Sequence, residues 1–133
     1  MMVLVDSSVW IDFLRQQRGK MPALEKAIHD GRAAICAVVW VELWSGVRSK
    51  AEELALQEMR ELCVSLEMDA VTWKRAAELS RVALRHGLNC PLADVLIVAC
   101  AKRHGAELLY RDQHIDQLLA LAAGPGTRAR TKN

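Results

Sequence analysis

The chain predicts an α/β fold built on a short, mainly parallel sheet, and three observations carry this. Short strand-like runs alternate with longer stretches whose apolar residues recur at helical spacing. The clearest runs, at Met2 to Val5 and Ala33 to Val38, are continuously apolar, as strands buried on both faces are. The length, 133 residues, is that of one domain, with no internal repeat and no linker.

Met2 to Val5 is expected as a buried strand closed by Asp6 and two serines, with Ser7 or Ser8 as the cap of the first helix. Trp10, Phe13 and Leu14 then share one helical face, and a QQRGK loop follows. Pro22 suits the first turn of a second helix, in which Leu24 and Ile28 share a face and HDG ends it. Ala33 to Val38 is the second strand, and beyond it Val39, Leu43 and Val47 recur at helical spacing, as do Trp40 and Trp44. Ala51 to Leu62 reads as a helix, and Val64 to Met68 as a weakly alternating strand. Thr72 to Arg85 and Leu92 to Arg103 are helices, each stopped by a His-Gly pair. Glu107 to Tyr110 is the last strand, followed by a helix around Ile115 to Leu121. The tail, GPGTRARTKN, is expected to be disordered.

Composition excludes several classes. Hydrophobic residues make up 52% and charged ones 26%, ordinary for a globular chain and not for a disordered or collagen-like one. The net charge of +2 comes from the tail's Arg128, Arg130 and Lys132, and the body carries a slight acidic excess. A nucleic-acid partner must therefore be argued from a site and not from overall charge. No apolar run approaches the ~20 residues of a spanning helix, and the N-terminus lacks the regions of an export signal. The four cysteines show no metal-ligand spacing, and three sit in apolar surroundings. The expectation is a reduced, cytoplasmic protein without a zinc site and without a membrane partner.

The chemistry is expected beyond the carboxyl ends of the strands. Asp6 ends the first strand and Asp112 closely follows the last. Glu42, in VVWVELW, and Asp94, in PLADVLIVAC, lie inside apolar helical stretches with no basic residue within four positions. A carboxylate among side chains that favour burial is costly unless it is paired, hydrogen-bonded or bound to a metal. Taken singly, each acid has a plainer use, as a cap, a turn residue or a solvated helix position. Together they come from four elements, two of them at strand ends. If they converge, like charges raise one another's pKa and call for a cation. An all-oxygen donor set suits a hard ion, Mg²⁺ or Mn²⁺, and phosphodiester chemistry is its natural use. Ser7 and Ser8 can donate to a carboxylate or phosphate oxygen as well as cap the helix.

VDSSVWIDFLR at the start, V-E-L at residues 41 to 43, PLADVLIVACA at 91 to 101 and LLYRDQHID at 108 to 116 resemble the PIN domain. More narrowly, they resemble the VapC-type toxins of bacterial toxin–antitoxin pairs. The resemblance runs in order from Met2 to about Leu119. It implies a three-layer α/β/α PIN-like domain over residues 1–123, followed by a basic tail over 124–133. It also implies an Mg²⁺- or Mn²⁺-dependent endoribonuclease acting on tRNA or rRNA, a homodimer, and silencing by a cognate antitoxin whose peptide covers the acidic site. By position, Asp6, Glu42 and Asp94 match the three core acids and Asp112 the less regular fourth, with Asp116 ranked second for that role. Three departures stand out. Tyr110 replaces a small hydroxyl residue, Ile115 replaces a phenylalanine, and the final short strand is expected to be absent or very short.

Arg15, Arg18, Lys20 and Arg48 sit in or beside loops and are weighed as RNA-phosphate contacts against ordinary solvated charge. Trp10, Trp40 and Trp44 are expected in the core; alternatively Trp40 or Trp44, one turn apart near Glu42, lines a dimer or antitoxin groove. His114 is the one histidine near the proposed site, and nothing in the sequence requires it as a general base. Two other readings compete with the nuclease. One is a non-catalytic PIN-like metal- or RNA-binding module. The other is a phosphoacceptor or phosphatase with Asp6 as nucleophile, disfavoured because Ser8 breaks the D-x-D arrangement and Asp94 is left without a role.

Overall fold

A computed structural model describes residues 1–15 and 19–123. Val3–Val5 (β1) leads into Ser7–Arg15 (α1) and Pro22–His29 (α2), and Ala33–Ile35 (β2) into Ala37–Ser45 (α3) and Lys50–Glu61 (α4). Val64–Ser65 (β3) is followed by Ala70–Arg85 (α5) and Leu92–His104 (α6), and Glu107–Leu109 (β4) by Gln113–Ala123 (α7). The strands form one sheet in the order β3-β2-β1-β4, and every pairing is parallel. Leu4 is opposite Ala34 on one side and Leu108 on the other. This central position explains why β1 is apolar throughout and fully buried.

The layers follow from connectivity. The β1–β2 and β2–β3 crossovers step the same way along the sheet, whereas β3–β4 returns to the far side of β1. Right-handed crossovers then put α1 to α4 on one face and α5 and α6 on the other. The packing agrees. Helices α5, α6 and α7 pack on one another, α1 and α4 pack on α3, and α3 also touches α6. Residues Asp94 to Ala101 of α6 are all buried, which accounts for its lack of a polar face. Gly105 ends α6 in the left-handed conformation at φ 63°, and the Ala106 N–H then bonds the Ala101 carbonyl to turn the chain into β4.

Several expectations shift in detail. The second strand stops at Ile35, because Cys36 is the residue before α3 and its carbonyl already accepts from Trp40 N. The third is the exposed pair Val64–Ser65, with one further bond from Leu66 N to Ile35 O. Helix α5 starts at Ala70, where Asp69 accepts from both the backbone N and the Oγ1 of Thr72. Neither Ser7 nor Ser8 caps α1. Val9 N and Trp10 N bond the Asp6 carbonyl, so the serines occupy the first turn and their hydroxyls are free for other work.

Trp10 is in the core as expected, edge-on to Phe13. Trp40 and Trp44 are not. Val39 and Leu43 take the buried stripe of α3, and the two indoles stack on each other on its outer side, with Trp40 half-buried beneath the Arg60 guanidinium and Trp44 exposed. All four cysteines are free thiols, Cys36 and Cys100 in the core. No strand follows β4 among the described residues. No helix there is long and apolar enough to cross a membrane. Arg18 and the basic tail expected over residues 124–133 lie outside the described residues.

Candidate metal centre

The neighbouring strands β1 and β4 deliver two of the acids. Asp6 directly follows β1, held at the end of the sheet by its N–H to the Leu109 carbonyl, and Asp112 follows β4 a few residues on. Asp94 enters from the first turn of α6, just after Pro91 sets the approach. Glu42 reaches in from the middle of α3, where α3 packs against α1. All four face one open cavity of about 430 Å³, together with Ser7, Ser8 and Arg111.

The two serines order the carboxylates. Ser8 Oγ donates to Asp6 Oδ2 at 2.7 Å, and Ser7 Oγ donates to Glu42 Oε1 at 3.0 Å. They were weighed above as caps or donors, and the structure uses them as donors. Asp94 has no such help. It is 9% exposed, and its Oδ2 is shut off from water without a hydrogen-bond partner. Burial, and then the charges of Asp112, Asp6 and Glu42, push its pKa up to about 6 against a small opposing effect of His114. Glu42 is raised too, by partial withdrawal from water and by Asp6, against the Ser7 hydrogen bond. Four carboxylates around one orphaned oxygen are what a bound cation would relieve, and their oxygen donors fit a divalent metal.

Residues 3–119 match the PIN domain. The chain belongs to the PIN-domain family. VapC ribonuclease Mb1587 of Mycobacterium bovis is 31% identical over 121 residues, covering 86% of this chain and 90% of that protein. The same figures hold for Ribonuclease VapC11 of Mycobacterium tuberculosis. DNA-bound VapBC from Salmonella typhimurium superposes with a TM-score of 0.76 at 15% identity, over 98% of each chain, a likeness of fold.

Within this PIN domain, Asp6, Glu42, Asp94, Asp112, Ser7 and Ser8 come together, and Asp116 does not. Tyr110, buried at the end of β4, donates its hydroxyl to Asp116 Oδ1 and turns that carboxylate to structural use. Of the basic residues, Arg15 and Arg48 line a different cavity, of about 390 Å³ between α1, α3 and α4, where Arg48 pairs with Glu52. Lys20 is exposed in the loop before α2. One residue was passed over in the sequence, and one that was noted there without a role lies close to the acids. Arg111 lies in the wall of the acid cavity, paired with Asp12 of α1. Its position next to Asp112 was the available signal. His114 places Nδ1 3.0 Å from Asp112 Oδ1 and 4.0 Å from Asp94 Oδ2.

Proposed function

We propose that this PIN domain is a metal-dependent endoribonuclease, the toxin of a toxin–antitoxin pair, cutting tRNA or rRNA at the acid cavity. The observation that carries the reading is the buried, donorless Asp94 Oδ2 among three further carboxylates. The names of the mycobacterial relatives support ribonuclease chemistry. Asp6, Glu42, Asp94 and Asp112 would hold Mg²⁺ or Mn²⁺. When bound, the cation lowers the pKa of an attacking water and offsets charge on the phosphate.

The chain's own groups do the rest. Ser8 fixes the Asp6 carboxylate by occupying one oxygen and leaving the other for the cavity. Ser7 does the same for Glu42 and draws α1 and α3 together at the cavity wall. Arg111, held by Asp12, presents a guanidinium where an RNA phosphate enters. Arg15, Arg48 and Lys20 would contact the RNA backbone on either side of the cut.

The partners follow the same reading. A cognate antitoxin would cover the acid cavity, in keeping with structural neighbours such as the Salmonella typhimurium VapBC complex. A homodimer would use the apolar face on the other side of α3, where Val41, Trp73 and Leu92 are 61%, 52% and 68% exposed around a cavity of about 710 Å³. The protein would act in the cytoplasm, where both RNA and antitoxin are found.

The test uses purified protein, freed of antitoxin, with total cellular RNA, with and without Mn²⁺, beside Asp94→Asn. Discrete fragments from the wild type with metal, and from neither control, are expected. Intact RNA in every lane overturns the nuclease and leaves a binding module.

A further inference from the structure

We propose that His114 is a nitrogen ligand of the cation held at the acid cavity, making it a mixed carboxylate–imidazole centre that takes Mn²⁺ in preference to Mg²⁺. The proposal rests on the reading of that cavity as a cation site and names the ligand and the ion it selects.

Asp94, Asp112 and His114 each offer one ligand atom, and the three lie within 4.8 Å of one another. A six-coordinate ion with bonds of about 2.1 Å sets neighbouring ligand atoms roughly 3.0 Å apart and opposite ones roughly 4.2 Å apart. The separation of His114 Nδ1 from Asp112 Oδ1 is 3.0 Å, and from Asp94 Oδ2 it is 4.0 Å. Both separations fall within the span that two ligands of one such ion can take.

A second observation is independent of the spacing. His114 Nδ1 and Asp94 Oδ2 are both inaccessible to water, and neither makes a hydrogen bond. The 4.0 Å between them is too long for one, and the 3.0 Å contact with Asp112 is not aligned as one. Two buried polar atoms without hydrogen bonds, one on Asp94, a residue 9% exposed, and one on His114, call for a common partner. A cation between them satisfies both, with the imidazole neutral and its proton on Nε2.

The backbone holds this arrangement. Asp112 Oδ1 accepts from His114 N at 2.7 Å, so the acid caps the helix on which the histidine sits. Helix α7 packs on α6, which carries Asp94. Imidazole is the preferred donor of Fe, Ni, Cu and Zn ions, while Mg²⁺ and Mn²⁺ both favour carboxylate oxygen. Of these two, Mn²⁺, a transition ion, accepts a nitrogen in place of an oxygen more readily. The nitrogen therefore tilts the choice between the two ions.

Electron spin-echo modulation of Mn²⁺ bound to the purified protein tests this without any RNA. Modulation from a coordinated ¹⁴N is expected in the wild type and absent in His114→Gln and His114→Asn, while both variants still bind Mn²⁺. Calorimetric competition is expected to show the Mn²⁺ over Mg²⁺ affinity ratio falling about tenfold in these variants. Bound Mn²⁺ without nitrogen modulation, or modulation that survives both substitutions, overturns the role of His114 and leaves the carboxylate site standing. No Mn²⁺ bound by the wild type overturns both.

Discussion

At the scale of single residues, Asp94 sets a conflict between stability and chemistry. Its carboxyl titrates near 6 in the folded, metal-free protein against 3.8 when unperturbed. A raised acid holds its proton more tightly in the folded chain, so its contribution to stability is fully present below about pH 4 and is lost as the pH rises through about 6. Two pKa units bound the effect at about 3 kcal/mol. Asp94→Asn is therefore expected to stabilise the metal-free protein at pH 7.5 by about 1–3 kcal/mol in urea denaturation and to flatten its pH dependence between 4 and 6. A variant less stable than the wild type at pH 7.5 would contradict the origin given for the shift. The two aspartates near the end of β4 separate just as cleanly. Asp112→Asn should weaken Mn²⁺ binding at least tenfold by calorimetry, and Asp116→Asn should leave it within about twofold, because Tyr110 engages Asp116 away from the cavity. The sequence pointed to Asp112 over Asp116 through its place just after the last strand and through family pattern. The physical reason, a buried tyrosine in place of a small hydroxyl residue, needed the packing around β4.

Among the elements, α3 divides its work between two faces. Val39 and Leu43 pack inward, Glu42 turns to the acid cavity, and the Trp40–Trp44 stack faces out at a ring separation of 5.4 Å. Leu43→Ala is expected to cost about 2–5 kcal/mol, since it opens a hole in the core. Trp44→Ala should cost no more than about 1 kcal/mol, the scale of an exposed aromatic pair. Paired urea titrations check both, and equal losses would show that α3 is seated differently. Periodicity in the sequence placed the helix but not its rotation, because both indoles fit an inward stripe as well as Val39 and Leu43 do. Packing settled the rotation, with Val39 and Leu43 buried and Glu42 on the side that meets Ser7 of α1. The α5 cap tells a similar story. Asp69 caps α5 through Thr72, and its bidentate link to Arg103, thirty-four residues away on α6, is tertiary and holds the Asp69 carboxyl well below the usual carboxylate range.

For the whole molecule, the exposed apolar face around Val41, Trp73 and Leu92 is the feature that an isolated copy leaves wet. Leu92→Glu is expected to convert a dimer to a monomer in sedimentation velocity while the circular dichroism spectrum stays unchanged, because Leu92 contributes little to the core. A wild type that is monomeric at micromolar concentration would remove this face from the assembly. The fold class was legible because it rests on local signals: continuous apolar strands, helical spacing between them, and Pro and Gly at helix boundaries. The acids were legible as well, since Glu42 and Asp94 stood out against apolar neighbours with no basic partner nearby. Their convergence was not a local property. It depends on strand order β3-β2-β1-β4, which sets β1 beside β4 and brings Asp6 near Asp112, and on the contact between α3 and α6. Hydrophobic pattern follows from the chain's own chemistry and can be read along it. Which side chains share a cavity, with Arg111 in its wall and His114 beside Asp112 and Asp94, follows from contacts between residues far apart in sequence and exists only once the chain has packed.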